Sequence, residues 1–555
     1  MISDYKQEYE RWLANVSEPE LSKELRDMDP AAAEDAFYRD LEFGTGGLRG
    51  VIGAGTNRMN VYVVAKASQG LADYLNKTAG ARPLVVIGYD TRIKSDVFSR
   101  VAASVFAANG IGVRLWREPL PVPTVSYGVR ALSASAGVMI TASHNPMKYN
   151  GYKVYGPDGC QITTESAKSI LSEIEKLDIF ADVRRSDFDA ASEAGTIGYV
   201  PDEVLTSFIN EVKAQSVLFG DFADRELDIV YTPLNGTGLK PVTRALNEAG
   251  FTHITVVEEQ KDPDGRFPTC PFPNPEIREA MELGLRYCEK TGADLLIATD
   301  PDCDRCGIAV RGGDGYRLLT GNEVGLLLLD FICSQRIKHG MMPKDPIFVK
   351  TIVTMDLAEK IADRYGVRTV NVLTGFKFIG EVIGRLEDKR DYICGFEESY
   401  GYLTGSYVRD KDAVNAAFMI CEMFAFYKTR GISLIEKLDQ LYGEYGYCLN
   451  TLHSYEFDGS AGMDRMAEIM KTFRRGVEAF AGSRVTRTED YSVGINGLPK
   501  SDVLKFYTDS GSVVIRPSGT EPKLKAYISV TAKDEDEARK TEKIISGEIS
   551  RITGR

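Results

Sequence analysis

Along the 555 residues, short apolar runs alternate with longer stretches of helical spacing. The spacing predicts strands at Leu84 to Gly88, Gly112 to Trp116 and Gly137 to Ile140, with helices at Val63 to Asn76 and Asp96 to Asn109. Strands alternating with helices of this length predict a mixed or parallel sheet covered on both faces. The first forty residues, rich in Glu, Ala, Leu and Lys, read as helices with polar faces. A mostly polar stretch follows near Asp178 to Gly198.

The pattern then restarts. A helix from Asp202, a strand Leu227 to Tyr231, a turn Pro233 to Gly238 and a strand Asp294 to Ala298 lead into the loop Asp300 to Arg305. A third repeat begins near Tyr316, with a helix Asn322 to Ser334, a strand Pro346 to Val349 and a helix Met355 to Tyr365. From about Gly443 a strand and a long helix, Met463 to Phe480, precede the strand Val513 to Ile515, the loop Arg516 to Pro522 and a closing helix Asp534 to Arg551. The expected architecture is α/β with four domains, three similar mixed-sheet α/β units and a smaller C-terminal α+β domain. The boundaries fall at 1–203, 204–315, 316–442 and 443–555, each unit of ordinary domain size. The segment near Gly443, crossed by few strong patterns, is a candidate hinge for the last unit.

Composition removes whole classes of function. A hydrophobic share of 43% and a charged share of 26% are ordinary for a soluble globular protein. The net charge of -13, with no compensating basic run, excludes general nucleic-acid affinity. Any anion must be held by a local pocket. Nine scattered cysteines make no disulfide framework, and the N-terminus lacks the apolar core of a signal peptide, so a cytoplasmic location is expected. The longest apolar stretch, Val324 to Cys333, is too short to span a bilayer, so no membrane anchor is expected.

Candidate chemistry lies in the loops. TASHNPMKYN, Thr141 to Asn150, puts a hydroxyl, an imidazole and a carboxamide where an apolar strand stops, the place where open α/β sheets do their chemistry. Its closing Asn150-Gly151 step predicts a tight two-residue hairpin turn. A serine hydrolase is disfavoured: G-x-S-x-G is absent, and His144, as a sequence neighbour on an extended loop, is expected to point away from Ser143.

Asp300, Asp302 and Asp304 at i, i+2 and i+4 would repel one another unless a cation sat between them. An EF-hand loop needs Gly and Glu where this chain has Arg305 and Arg311, which leaves Mg²⁺ as the natural occupant. Cys303 and Cys306 interleave with the acidic residues and read as two incidental thiols. Arg516, Ser518, Gly519 and Thr520 supply a guanidinium, two hydroxyls and a free backbone N–H, the parts of a phosphate cradle without a Walker lysine. Nucleophile, metal and second phosphate site are the three parts of phosphoryl transfer, drawn here from three units.

With GTGGLRG, TASHNP followed by NGYKVY, DPDCDR, TGFKFIG, GFEESYGY and RPSGTEPK in that order, the chain resembles the α-D-phosphohexomutase superfamily over nearly its whole length. The resemblance implies a heart-shaped enzyme whose central cleft gathers one loop from each of four domains. Ser143 then matches the serine that carries a phosphoryl group, and together with Asp300, Asp302 and Asp304 would hold Mg²⁺. Arg49 and Lys153 match basic residues beside the phosphoserine, and Arg305 the arginine after the metal loop. Thr374, Gly375, Glu397 and Ser399 match sugar-binding positions, and Arg516, Ser518, Gly519 and Thr520 those that grip the non-reacting phosphate. Lys377 and His144 are the candidates for proton transfer. The implied reaction is isomerisation through a bisphosphate, with glucose 1,6-bisphosphate as activator and hexose phosphates as substrates, in a monomer or weak homodimer. GFEESY and TGFKFIG are similar to the phosphoglucomutase branch, which favours glucose 1-phosphate and glucose 6-phosphate and leaves mannose and pentose phosphates open. A Mg²⁺-dependent sugar phosphatase is the rival from another class.

Overall fold

A computed structural model describes residues 5–44, 46–313, 315–457, 459–518 and 523–554, with the side chains of 459–461 left aside. The apolar run Leu84–Tyr89 lies inside a six-stranded mixed sheet. It pairs in parallel with Gly112–Leu115 and Ala136–Ile140. Tyr149–Tyr155 runs antiparallel between Ala136–Ile140 and Leu48–Val51. Alternate residues feed two cores: Val85 and Ile87 join one apolar cluster, Val86 the other. Helices Val61–Thr78 and Ser95–Ala108 supply the first cluster, and Val122–Ala131 supplies the second. A sheet covered on both faces is what its continuous apolar strands require.

Three helices precede this sheet, Tyr5–Asn15, Pro19–Asp27 and Pro30–Phe37, and bury Trp12, Leu25 and Phe37 against it. The polar stretch after Asp178 contains a short helix, Phe188–Glu193, and an edge strand, Ile197–Tyr199, that completes the first sheet.

The second sheet runs in the order Gly315–Leu319, Cys306–Gly312, Leu295–Thr299, Ile229–Thr232 and Ile254–Val256. Tyr316, expected to open the third repeat, instead lies in a hairpin strand of this second sheet. The third sheet orders Arg368–Val372, Ile347–Thr351, Tyr392–Glu397 and Gly401–Thr404. One continuous core joins the second and third units, with the nearly all-apolar helix Ala413–Thr429 buried in it.

The last unit is a six-stranded antiparallel sheet carrying helices Gly459–Arg474 and Glu535–Thr553, with its own core. The long helix expected to reach Phe480 ends earlier. After Arg474 the chain turns through Gly476, whose φ of +111° suits glycine, and Ala479–Phe480 is a short strand. The architecture is thus three mixed α/β sheets and one antiparallel α+β sheet. Among the described residues no helix is long and apolar enough to cross a membrane.

Candidate active site

Strand Ala136–Ile140 delivers the loop that holds Ser143, a residue only 4% exposed. Its backbone sits at φ +52°, a left-handed conformation that costs a non-glycine residue about 1 kcal/mol or more. The Ser143 amide donates to Thr141 Oγ1 at 2.8 Å, which holds the turn. In this tight loop Ser143 Oγ lies 3.1 Å from His144 Nδ1, so the two neighbours do not point apart. The expectation of divergence assumed an extended loop. Asn150 and Gly151 form no hairpin turn; they sit inside strand Tyr149–Tyr155. Glycine is needed there because a Cβ would lie 2.4 Å from Thr141 O and 2.8 Å from Leu48 O, so the dipeptide answers to packing.

The second unit brings its acidic loop onto the serine. Between strands Leu295–Thr299 and Cys306–Gly312, Asp300 Oδ1 accepts from the amides of Asp304 and Arg305 at 3.0 and 2.9 Å, while Asp300 Oδ2 accepts from Ser143 Oγ at 2.9 Å. One carboxylate oxygen from each of Asp300, Asp302 and Asp304 lies within 4.8 Å of the others, all buried. Asp302 Oδ1 and Asp304 Oδ1 are buried without a hydrogen-bond partner. Buried carboxylate oxygens without donors are costly, and a divalent cation is a partner that satisfies both at once while Asp300 lies within its reach. These residues fit a metal ion.

Charge on the triad is already partly balanced. Lys153 Nζ, from strand Tyr149–Tyr155, lies 2.9 Å from Asp302 Oδ2 and 3.4 Å from Asp304 Oδ2. Burial, then the charges of Asp302 and Asp304, push Asp300 well above the ordinary carboxylate range, and burial pushes Asp304 up as well. Asp302 stays low although burial opposes it, because Lys153 and its hydrogen bonds outweigh that cost. Cys303 and Cys306 are buried, free and pushed up by burial, as incidental thiols would be.

The third unit contributes Glu397, whose Oε1 accepts from the Gly375 amide at 2.9 Å, with Gly375 itself at φ +120°. Burial raises Glu397, and burial followed by the Glu397 charge raises Glu398 to about 7. Thr374 Oγ1 is buried without a partner, and Ser399 is partly exposed on the separate loop that follows Glu397. Lys377 opens helix Phe376–Arg385 and is partly exposed. Burial lowers its ammonium to about 8; the charge of Arg516 adds to the fall, while Cys160 and Glu381 oppose it. His144 is held well below the ordinary imidazole range by burial and then by Arg305 and Arg49, so it is neutral.

Strand Gly511–Pro517 carries Arg516 opposite Lys525. Lys525 is lowered by burial and then by Arg516 and Lys523, which marks a locally cationic edge. Ser518 donates its backbone N–H to Lys523 O at 2.7 Å, and Gly519 and Thr520 lie outside the described residues. Arg49 Nη1 reaches Asn145 Oδ1 at 3.3 Å on the serine loop. Arg305 pairs with Glu276.

Direct contacts therefore gather Ser143, His144, Lys153 and the three aspartates. Arg305 and Glu397 are joined to this centre through their charges, Arg305 to Asp304 and Asp300 and Glu397 to Arg305 and Lys411, whereas Lys377 and Arg516 are joined to each other. Sequence reasoning missed Lys411, whose Nζ lies 3.2 Å from Asp304 Oδ2 and 3.5 Å from Asp410 Oδ1. Its signal was the charged run Arg409 to Asp412 directly before a buried apolar helix. Glu276 and Lys525 were also missed.

Fold and site together define a four-unit α/β enzyme with a buried acidic metal-type cluster facing a serine. Profiles of the phosphoglucomutase/phosphomannomutase family match its alpha/beta/alpha domains I, II and III at residues 40–179, 206–313 and 320–445, and its C-terminal domain at 460–546. A phosphoglucomutase of Staphylococcus saprophyticus is 37% identical over 542 residues, covering 95% of this chain and 97% of its own. Among solved structures, parafusin (phosphoglucomutase) from Paramecium in an open form aligns with TM-score 0.68 at 18% identity, covering 93% of this chain and 96% of that one. A phosphoglucomutase/phosphomannomutase family protein from Burkholderia thailandensis aligns with TM-score 0.67 at 17% identity, over 91% and 96%. The chain belongs to the phosphoglucomutase/phosphomannomutase family, and it is an enzyme of the phosphohexomutase kind.

Proposed function

We propose that the protein interconverts glucose 1-phosphate and glucose 6-phosphate, with Ser143 as the phosphoryl carrier. The observation that carries the reading is the 2.9 Å contact of Ser143 Oγ with Asp300, where two units meet over a buried acidic triad. Asp300, Asp302 and Asp304, with the Ser143 phosphoryl, would hold Mg²⁺, which supplies charge neutralisation at phosphoryl oxygens.

In the first half, the P–O bond to Ser143 breaks and the released Oγ takes a proton, while a P–O bond forms to the free hydroxyl of the bound sugar phosphate, whose proton goes to a base. The product is glucose 1,6-bisphosphate, which also serves as the activator that loads Ser143. After the bisphosphate turns over, its other phosphoryl passes back to Ser143 Oγ, whose hydroxyl proton goes to a base, and the released sugar oxygen takes a proton. Lys377, with an ammonium lowered to about 8, suits the base role, and neutral His144 beside Ser143 Oγ is the second candidate. Lys153 and Arg49 offset phosphoryl charge in transit, and Arg305 joins the substrate-binding residues. Thr374, Gly375, Glu397 and Ser399 recognise sugar hydroxyls, and Arg516, Ser518, Gly519 and Thr520 grip the other phosphate. The working unit is a monomer or weak homodimer of domains 1–203, 204–315, 316–442 and 443–555. Nine free, buried thiols support a cytoplasmic setting.

Ser143→Ala tests the reading. The variant is expected to lose mutase activity by roughly a thousandfold or more in a coupled assay from glucose 1-phosphate. A variant that turns over near the parent rate, or a parent that releases inorganic phosphate and free glucose as its main products, contradicts it.

A further inference from the structure

Ser143 occupies its left-handed conformation because both flanking peptide groups are pinned. The amide side is held by Thr141 Oγ1. The carbonyl side is held by Arg92, a residue of the first unit that lies beneath the loop. Arg92 Nε donates to Ser143 O at 3.1 Å, and Nη2 donates to the same oxygen and to Asn145 O. Arg92 Nη1 donates to Pro146 O and Tyr149 O, each at 3.1 Å. One guanidinium thus ties four carbonyls of the loop from Ser143 to Tyr149, using the fixed fork that only arginine has.

The clamp is itself built in. The Arg92 side chain is fully buried, with Asp90 Oδ2 3.4 Å from its Nε. Asp90 Oδ1 accepts from Ser95 Oγ at 2.7 Å, and Ser95 Oγ accepts from Asn150 Nδ2 at 3.0 Å. From the second unit, the Phe267 ring lies 5.1 Å from the guanidinium, and Gly265 bridges to the Arg92 backbone. The clamp therefore sits at the same junction of units that presents Asp300 to Ser143.

We infer that Arg92 is the positioning residue that holds Ser143 in its left-handed conformer and so aims Oγ at the acidic triad. This rests on the reading of Ser143 as phosphoryl carrier. The hydrogen bonds of Arg92 go to the carbonyls of the loop, while its charge also reaches Asp302 and Asp300. Arg92→Lys keeps that charge, so what it removes is the hold on the backbone, which governs the transfer step rather than sugar-phosphate binding.

The test compares the parent with Arg92→Lys, which keeps the buried charge opposite Asp90 but can no longer tie four carbonyls. In a variant with a cooperative melt, kcat is expected to fall by roughly 30- to 100-fold with KM for glucose 6-phosphate within about threefold, and loading of Ser143 from labelled glucose 1,6-bisphosphate should slow in parallel. A folded variant with kcat near the parent's overturns the inference, as does one whose loss lies in KM. If Arg92→Lys does not fold, Phe267→Leu, which loosens the cover of the clamp, must show the same pattern in weaker form. Normal kinetics there, or failure of both to fold, overturns it by assigning the pair to the fold. Absence of label on Ser143 in the parent would sink the carrier reading instead.

Discussion

At the scale of single residues, burial sets the chemistry of the two candidate proton carriers in different ways. His144 is pressed well below the ordinary imidazole range by burial and then by Arg305, Arg49 and Arg92, although Asp302 opposes them. Lys377 is lowered to about 8 and changes state there. If it accepts the sugar-hydroxyl proton, only its neutral form is active, so kcat should rise with pH through about 8 and level above it. The limb should disappear in Lys377→Met together with most of the rate; a flat kcat profile from pH 6.5 to 9 in the parent would give the role to His144. Ser143 and the aspartate triplet were legible in the sequence because each is a short local pattern. Lys411, Glu276 and Arg92 were not, because each acquires its partner from another loop or unit far along the chain: Lys411 meets Asp304, and Arg92 meets the carbonyls of 143 to 149.

Among the elements, the strands that bound the serine loop show where local propensity gives way. Asn150-Gly151 has the strongest hairpin signal of the segment, yet it lies in strand Tyr149–Tyr155, paired on both sides. Gly151 is there for space: its missing Cβ lets the chains of Thr141 and Leu48 approach. Gly151→Ala should therefore cost about 1–3 kcal/mol by overpacking and displace the neighbouring Thr141. A lower melting temperature and a loss of activity beyond the loss of folded protein are expected; a variant that melts and turns over with the parent contradicts this. Continuous apolar strands such as Leu84–Tyr89 and Ala136–Ile140 were readable because burial on both faces leaves an unbroken apolar run. Edge strands such as Ile197–Tyr199, three residues long and too short to leave one, were not.

For the whole molecule, the second and third units share one core, whereas the fourth keeps its own and meets the third across a smaller face. That face joins Ile352, Val353 and Leu373 to Tyr491, Val514 and Tyr527. Beside it Asp356 accepts from Lys505 at 2.7 Å and from Ser512 at 2.6 Å. The four-part division was visible in the sequence as restarts of the pattern, but the merging of two cores was not, since periodicity records which face is buried and not against what. Gly443 lies within helix Leu434–Tyr445, and the chain leaves that helix at Gly446 with φ +94°. In the proposed relay all four units would act at once, with the third and fourth gripping the sugar phosphate and Ser143, where the first unit meets the second, carrying the phosphoryl group. The most direct test is to incubate the protein with labelled glucose 1,6-bisphosphate, digest it and weigh the peptides. The account predicts about 80 Da of label on the peptide containing Ser143, chased off by unlabelled glucose 6-phosphate. A Ser143 peptide that stays unmodified while the protein turns over, or label on another residue, would contradict it.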